Sequence, residues 1–398
     1  MSPPLPLALA AGFCVYTYLG YPAILALVSA LRRSSRLPRP TTPGPAAGEW
    51  EWPPISIVLP AYNEADTIAG ALERLLAADY PSNRRQILVV SDASTDRTDA
   101  VVSRFRADGV ELLQLPERQG KTAAENAARR HLTGAIIINT DASVRVHPQA
   151  IKRLVAAFRD PTVGVASGRD VSVANLDGRS NAGEEAYVGY EMWVRDLETM
   201  LGGIVGASGC LYAIRAALHA GPVPVALSRD FAAALVAREH ARRAVSVPDA
   251  LCYVPRGASL RQEYRRKVRT ITRGLGTLAW KRALLNPWRH GAFAWMLLSH
   301  KVCRWLVPWT LVVALGNIAA AAPTAGWARA AVGSAGVLGA LAAIGWLWPD
   351  TKRLPRLFAL PAYVVAGNVA VLHAWVRVLV GRRAPVWEPT RRDPVPVR

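Results

Sequence analysis

From Leu5 to Leu31 the chain carries no charged residue, and Arg32, Arg33, Arg36 and Arg39 follow at once. An apolar run of this length crosses a bilayer core, which takes about 20 helical residues. Basic residues after it place that flank on the cytoplasmic side. A cleaved signal peptide fits poorly, because there the basic residues precede the apolar run. The C-terminal third is apolar again in Val302–Ala322 (interrupted only by Arg304), Ala328–Trp348 and Leu357–Val380. Pro323 and Gly326 break the first pair, and PDTKRLPR, Pro349–Arg356, separates the second. The last stretch holds Pro361, Asn368, His373 and Arg377, so it either crosses or lies in the interface. If all three cross, the arginine-bearing tail from Gly381 ends outside, against the positive-inside bias; an interfacial last segment removes the conflict.

The formal net charge of +19, from 48 Lys+Arg against 29 Asp+Glu, favours anionic partners and reads first as the basic bias of a membrane protein. The four cysteines are far apart with no paired spacing, so neither a zinc site nor a disulfide framework is expected. A Pro-rich linker, Pro38–Pro54, leads into an alternation of short apolar strands and helices. Strands are expected at Ile55–Leu59, Ile87–Val90, Val110–Leu115 and Ala135–Asn139. Helices are expected at Glu64–Ala78, capped by Asn63, after Asp96 or Ser94, and at Lys121–His131. Such alternation gives a parallel or mostly parallel sheet. Three of the strands end in polar or acidic tips, in ISIVLPAYNEA, ILVVSDASTDRT and AIIINTDAS. The C-terminal edge of such a sheet is where these folds bind ligands, which makes Asp92 and Asp141 candidate site residues.

The series LPAYNEA, VVSDASTD, GKTAA and TDAS, followed by GASGCLYAIR (Gly206–Arg215), SRDF (Ser228–Phe231) and QEYRRKVRT (Gln262–Thr270), resembles the membrane-bound branch of the family 2 glycosyltransferases. The likeness covers roughly Ile55 to Trp280. It implies a GT-A fold, a Rossmann-like, mostly parallel α/β sheet domain, here flanked by N-terminal and C-terminal transmembrane helices. It also implies displacement at the anomeric carbon of a nucleotide sugar. The leaving diphosphate then needs a divalent cation and basic groups, and the acceptor hydroxyl needs a general base.

Carried over residue by residue, the resemblance makes Asp92 the nucleoside contact, with Pro60, Ala61, Tyr62 and Glu64 lining the same pocket. Lys121 falls near the phosphates, with Gly120 allowing close backbone approach. Asp141 is the carboxylate for Mg²⁺ or Mn²⁺, with Ser143 at the third position of the DxD-like element. Asp230 is the base, and Arg229 replaces the acidic residue expected before it; an inward-pointing arginine would lower the aspartate's pKa. Gly209 and Cys210, with Gly206, line the acceptor side, and Arg265 or Arg269 contacts the diphosphate. Glu191, Arg195 and Glu198 share one helical face, as an intrahelical ion-pair row or as acceptor contacts. His300, Lys301, Arg304 and Trp305 read as interfacial anchors.

The expected organisation is a transmembrane helix at 1–33, a linker at 34–54, a cytoplasmic catalytic domain at 55–258, a basic amphipathic interface segment at 259–290, transmembrane or interfacial helices at 291–380 and a basic tail at 381–398. The leading expectation is an inverting glycosyltransferase at the cytoplasmic membrane face, with a nucleotide-sugar donor, a lipid-linked or envelope-glycan acceptor, and membrane lipids around it. A processive polysaccharide synthase is the alternative; the tryptophan of that group's Q-x-x-R-W motif is missing, since Thr270 follows Arg269. A non-catalytic scaffold is a third reading. Nucleic acid is not expected as a partner, because acidic strand tips repel a phosphate backbone. Protein partners leave no signature in the sequence.

Overall fold

The computed structural model describes residues 5–34, 50–173, 182–255, 259–349 and 354–382. Most of the Pro-rich linker, half of the PDTKRLPR break and the tail beyond residue 382 lie outside these. The N-terminal helices α1 (Leu5–Val15) and α2 (Tyr21–Ser34) are joined by a π-helical turn, Tyr16–Gly20. The sheet strands are β1 (Ile55–Ala61), β2 (Arg85–Ser91), β3 (Val110–Gln114), β4 (Ile136–Thr140), β5 (Arg145–Val146), β6 (Val163–Val173), β7 (Leu211–Arg215) and β8 (Arg243–Pro255). Among them run α3 (Ile68–Leu76), α4 (Thr98–Ser103), α5 (Lys121–Ala128), α6 (Ala150–Ala156), α7 (Ala182–Leu201), α8 (Ala216–His219) and α9 (Arg229–Glu239). After the sheet come α10 (Leu260–Trp280), α11 (Pro287–His290), α12 (Ala292–Leu297), a second π-helical turn at Leu298–Cys303, α13 (Arg304–Ala321), α14 (Gly326–Leu347) and α15 (Arg356–Leu379).

The strand order is β3-β2-β1-β4-β7-β6-β8-β5. β1 pairs in parallel with β2 and β4, and β2 with β3, as the continuous apolar runs predict. β7 then runs antiparallel between β4 and β6. β6 and β8 pair in parallel and β5 runs antiparallel to β8, so the sheet is mostly parallel, as expected, with β7 and β5 reversed. Alternate residues of each strand face opposite layers. Ile55, Ile57, Leu59, Ile87 and Val89 pack with α3 and α6 residues such as Leu72 and Leu154. Val58, Leu88, Val90 and Ile137 pack with Ala124 and Ala128 of α5 and with Tyr212 and Ala233.

Four helical stretches are long and apolar enough to cross a membrane: Leu5–Leu31, Ala292–Ala321, Gly326–Leu347 and Arg356–Leu379. The second starts ten residues before the expected Val302, because α12 runs through the π-turn into α13. The first two dock on the sheet domain through an apolar cluster that joins Tyr21 and Leu25, Val194 and Leu197 of α7, Phe231 and Leu235 of α9, and Phe293, Met296 and Leu297, while Ala362 and Tyr363 of α15 pack with Leu260. The two π-turns meet there: Tyr16 Oη is 2.6 Å from Ser299 Oγ, and Trp295 Nε1 donates to the same Tyr16 oxygen at 3.0 Å. α10 lies against α15, with Tyr264 Oη 3.0 Å from His373 Nδ1 and Lys267 Nζ 3.7 Å from the Tyr363 ring centre. His300 and Arg304, expected to face head groups, are instead buried against α7. Trp305 packs edge-on against Phe231 and beside Gly274 of α10. They belong to the domain junction, because the π-turn rotates this stretch toward the protein.

Candidate active site

β1 and β2 end side by side, with Ala61 paired to Ser91. Each strand is followed by a residue in the left-handed region, Asn63 (φ 52°) and Ala93 (φ 55°), a conformation that concentrates at functional loops. Asn63 does not cap a helix as expected; α3 begins only at Ile68. Its side chain instead ties the two loops together, donating to Thr95 Oγ1 (3.1 Å) and accepting from Thr95 N (2.8 Å), while its own N–H donates to Ser94 Oγ. Asp96 does act near a helix start, accepting from Thr98 N at 2.9 Å and from Ala65 N at 3.2 Å. Burial favours its neutral form, but these hydrogen bonds outweigh it and lower its pKa.

Of the pocket residues expected on β1, Pro60 and Ala61 are buried beneath the loops, and the Ala61 carbonyl accepts from Asp92 N at 2.9 Å. Tyr62 is half-buried, with the Arg118 guanidinium 3.8 Å from its ring centre, a cation–π contact. The Glu64 carboxylate accepts from Thr67 Oγ1 at 2.6 Å, and its N–H donates to Thr98 Oγ1 at 2.8 Å, so Glu64 also braces the turn into α3.

Asp92 is 1% exposed. Its Oδ1 accepts from Gln119 N (2.8 Å) and its Oδ2 from Gly120 N (2.7 Å). Charge-assisted bonds of this kind are the stronger class. Gly120 has φ 93° and ψ 166°, a backbone that favours glycine, and α5 starts at the next residue. Asp92 therefore fixes the start of the helix that carries Lys121. The Lys121 ammonium is paired with Asp141 at the tip of β4 and donates to the Gly209 carbonyl at 3.1 Å. Burial opposes its charge, but Asp141, then Glu125 and Asp230, raise its pKa above the ordinary value.

Gly209 connects the two chemical halves. On one side its carbonyl meets Lys121. On the other, a Cβ built on it would lie 2.8 Å from Asp230 Oδ2. The loop carrying Gly209 and Cys210 is pinned from below: Ser208 N donates to Ser167 Oγ (2.8 Å), Ser208 Oγ to Asp170 (2.6 Å), Cys210 N to Ser208 Oγ (3.1 Å), and Thr140 Oγ1 to the Cys210 carbonyl (2.9 Å). Asp230 sits in the first turn of α9, where Ser228 Oγ donates to it at 2.5 Å. Arg229 points away from that carboxylate. It bonds Asn126 Oδ1 at 2.5 Å, His219 Nε2 at 3.2 Å and the His219 carbonyl at 3.3 Å. With arginine as the donor, His219 Nε2 must accept. Burial and the Arg229 charge push the His219 pKa down to about 2.

α10 packs beside the site, with Arg273 reaching the loops around it. Arg265 is exposed and Arg269 half-buried. Arg273, one turn beyond Arg269, donates to Thr122 Oγ1 at 2.6 Å and to the Val225 carbonyl at 3.0 Å, and also bonds the Leu227 carbonyl. Thr277 accepts from Ser228 N at 3.0 Å. Burial pulls the Arg273 pKa down against the attraction of Asp230 and Glu125. Glu125, also unforeseen, is buried on α5; burial raises its pKa, against the charges of Lys121 and Arg229.

No group of three or more His, Cys, Asp or Glu side chains close enough to hold a metal occurs among the described residues. Asp141 offers one carboxylate, partly exposed, with Ser143 two residues on. That donor set is too small for an all-protein cage. It fits a Mg²⁺-like ion that takes one carboxylate and completes its shell with substrate phosphates and water.

The family description "Glycosyl transferase family 2" matches residues 56–213. An N-acetylglucosaminyltransferase of Mesorhizobium japonicum is 34% identical over 135 residues, which is 33% of this chain and 31% of that protein. A beta-monoglucosyldiacylglycerol synthase of Synechocystis is 26% identical over 157 residues, 38% of this chain and 33% of that protein. The chain thus matches about a third of the length of these relatives. Among solved structures, a mannosyltransferase of Pyrobaculum calidifontis in complex with GDP-mannose and Mn²⁺ covers 95% of this chain and 100% of its own, with a TM-score of 0.71 and 23% identity. That likeness bears on the fold: a GT-A sheet domain with flanking membrane-length helices.

Proposed function

We propose that this chain, whose residues 56–213 form a family 2 glycosyltransferase domain, moves one sugar from a nucleoside diphosphate donor to a lipid-linked or envelope-glycan acceptor, with inversion, at the cytoplasmic membrane face. The observation that carries the reading is the meeting of Asp141, Lys121 and Asp230 around Gly209. An acid tip, a partly buried ammonium and a second carboxylate then share one small-residue corner at the sheet edge.

In this reading the β1 and β2 loops hold the nucleoside, Tyr62 and Asp92 being their side chains nearest the strand ends. Lys121 and Arg273 neutralise charge on the diphosphate as it leaves. A divalent ion on Asp141, with Ser143 beside it, would supply Lewis-acid stabilisation of the same oxygens. Asp230 accepts the proton of the acceptor hydroxyl as its oxygen bonds to the anomeric carbon. The bond from that carbon to the diphosphate breaks from the opposite face, which inverts the configuration. Because Arg229 is committed to Asn126 and His219, it leaves Asp230 free of direct pairing. Gly209 and Cys210 leave room for the acceptor. Domain bounds of 55–258 for catalysis and 259–290 for membrane contact accord with α10 packing beside the site.

The test is transfer and donor hydrolysis by the purified full chain with Mg²⁺ or Mn²⁺ across a panel of nucleotide sugars. A true donor stabilises the folded protein by mass action. Full activity in Asp141→Ala or Asp230→Ala would remove those residues from their roles. A ladder of products on a sizing gel would replace single transfer with processive synthesis.

A further inference from the structure

Three buried polar side chains on the α5 face of the sheet have no use in the site described above. Asn139 is 0% exposed and Tyr212 1%, and neither the Asn139 amide nor the Tyr212 hydroxyl has a hydrogen-bond partner among the described residues. Glu125 is 1% exposed and faces its neighbours as charges alone, with no hydrogen bond to its carboxylate among those residues. Buried groups of this kind are normally paired.

Their places follow from the register. Asn139 of β4 stands opposite Tyr212 of β7. Ile137 and Tyr212 pack with Ala124 and Ala128 of α5. Side chains alternate along a strand, so Asn139 shares that face with Ile137. On α5 itself, Lys121, Ala124, Glu125 and Ala128 fall on one helical stripe. Asn139 lies two residues before Asp141 and Tyr212 three residues after Gly209, and these are the two groups that Lys121 holds. At roughly 3.3 Å per strand residue, Asn139 is about 7 Å below Asp141.

The Lys121 ammonium sits on Asp141, the carboxylate read as the metal ligand. An ammonium and a divalent cation repel when they share one carboxylate. Lys121 must therefore leave Asp141 whenever that carboxylate serves a metal. A buried ammonium then needs another anion and acceptors for its three N–H groups. Glu125, one helical turn on, supplies the anion. Asn139 Oδ1 and Tyr212 Oη supply two more acceptors. Burial raises the Glu125 pKa, and Lys121 heads the charges that oppose it. The ammonium and this carboxylate thus stabilise each other's charged forms.

We infer that Glu125, with Asn139 and Tyr212, is the receiving site for the Lys121 ammonium when a divalent ion takes Asp141. Glu125 is then a positioning residue that acts on metal binding only through Lys121. The exchange rests on the glycosyl-transfer reading, which puts the metal at Asp141. The ammonium stays within about 7 Å of Asp141, near enough to offset diphosphate charge in a poorly solvated corner.

The test uses the full chain in detergent micelles with Mn²⁺ alone, free Mn²⁺ being read by electron paramagnetic resonance. Glu125→Gln should weaken Mn²⁺ binding about tenfold, the low end of what outer partners of metal ligands contribute, and Glu125→Asp should recover most of that loss. Lys121→Met, which leaves the buried acceptors untouched, should strengthen binding by about the same factor. The double variant Lys121→Met with Glu125→Gln should match Lys121→Met, which a direct effect of Glu125 on the ion or on folding would not give. An unchanged Kd in Glu125→Gln or in Lys121→Met, or a further loss in the double variant, overturns the exchange and leaves the metal at Asp141. Mn²⁺ binding that persists in Asp141→Asn, or that is absent from both wild type and Lys121→Met, overturns the metal placement and the exchange with it.

Discussion

At the ends of β1 and β2 the buried polar groups answer one another: Asp92 takes two backbone N–H groups, and Asn63 spends its amide on Thr95. At the junction of α7 with the membrane-length helices, side-chain charges answer one another instead: Glu191 accepts from Arg304 Nη1 at 2.6 Å and lies 2.9 Å from His300 Nε2, and Glu198 accepts from Tyr21. The first region is held by its own hydrogen bonds, which fix both loops and the start of α5. The second is held by buried ion pairs between α7 and the membrane-length helices. The contrast separates loops set mainly by hydrogen bonds to backbone from a junction set by side-chain charges, whose strength depends on burial.

The contrast breaks first at Asp230. Asp230→Asn should lower transfer by about 10²- to 10⁴-fold, the span of general-base contributions, while donor-induced thermal stabilisation persists. If stabilisation is lost as well, the two regions are not separable. Gly209→Ala comes next. Its methyl would meet Asp230 Oδ2 at 2.8 Å, and displacing a catalytic group by about 1 Å costs on the order of 10²-fold. A transfer rate within twofold of wild type would show that the carboxylate has room to move.

Smaller effects appear in stability. The His219 pKa is lowered from 6.5 to about 2. Between those values the unfolded chain binds a proton that the folded one refuses. Stability is therefore full above the unfolded value and falls as the pH drops below it, by up to about 1.4 kcal/mol per pH unit. Denaturant melts at pH 7 and pH 5 should show this, and His219→Gln should flatten the slope. Least in size, Ala93→Gly relieves a left-handed alanine (φ 55°) and should add about 1 kcal/mol. An unchanged or lower midpoint would mean that the Asn63–Thr95 tie leaves no strain at Ala93.

β1, β2 and β4 are legible because strands buried on both faces read as apolar runs, whereas β3, at the sheet edge, is legible from Val110, Leu112 and Leu113 despite its exposed Glu111 and Gln114. β6 and β8 are not, because they mix polar residues into SGRDVSV and VPDALCY and shift register twice. The site shows the same division. Asp92, Lys121, Asp141 and Asp230 stand at strand or helix ends, where local sequence fixes position. Arg273 lies one turn past the basic segment that drew attention, and only the docking of α10 shows that it, rather than Arg265, reaches the site. Nor can the direction of Arg229 be read locally, since its partners Asn126 and His219 come from α5 and α8. The burial of His300 and Arg304 depends in turn on a helical irregularity that apolar patterning does not record.

That irregularity has a consequence for engineering. A π-turn holds one residue more than the α-helix around it. Winding Leu298–Cys303 as ordinary α-helix, with no residue removed, would turn everything beyond it by about 100°. The span would still cross the membrane, but Arg304 and Trp305 would face lipid, and the sheet domain would lose its fixed bearing on the bilayer. Chimeras that exchange membrane segments should therefore carry Tyr16–Gly20, Leu298–Cys303 and α7 as a single cassette.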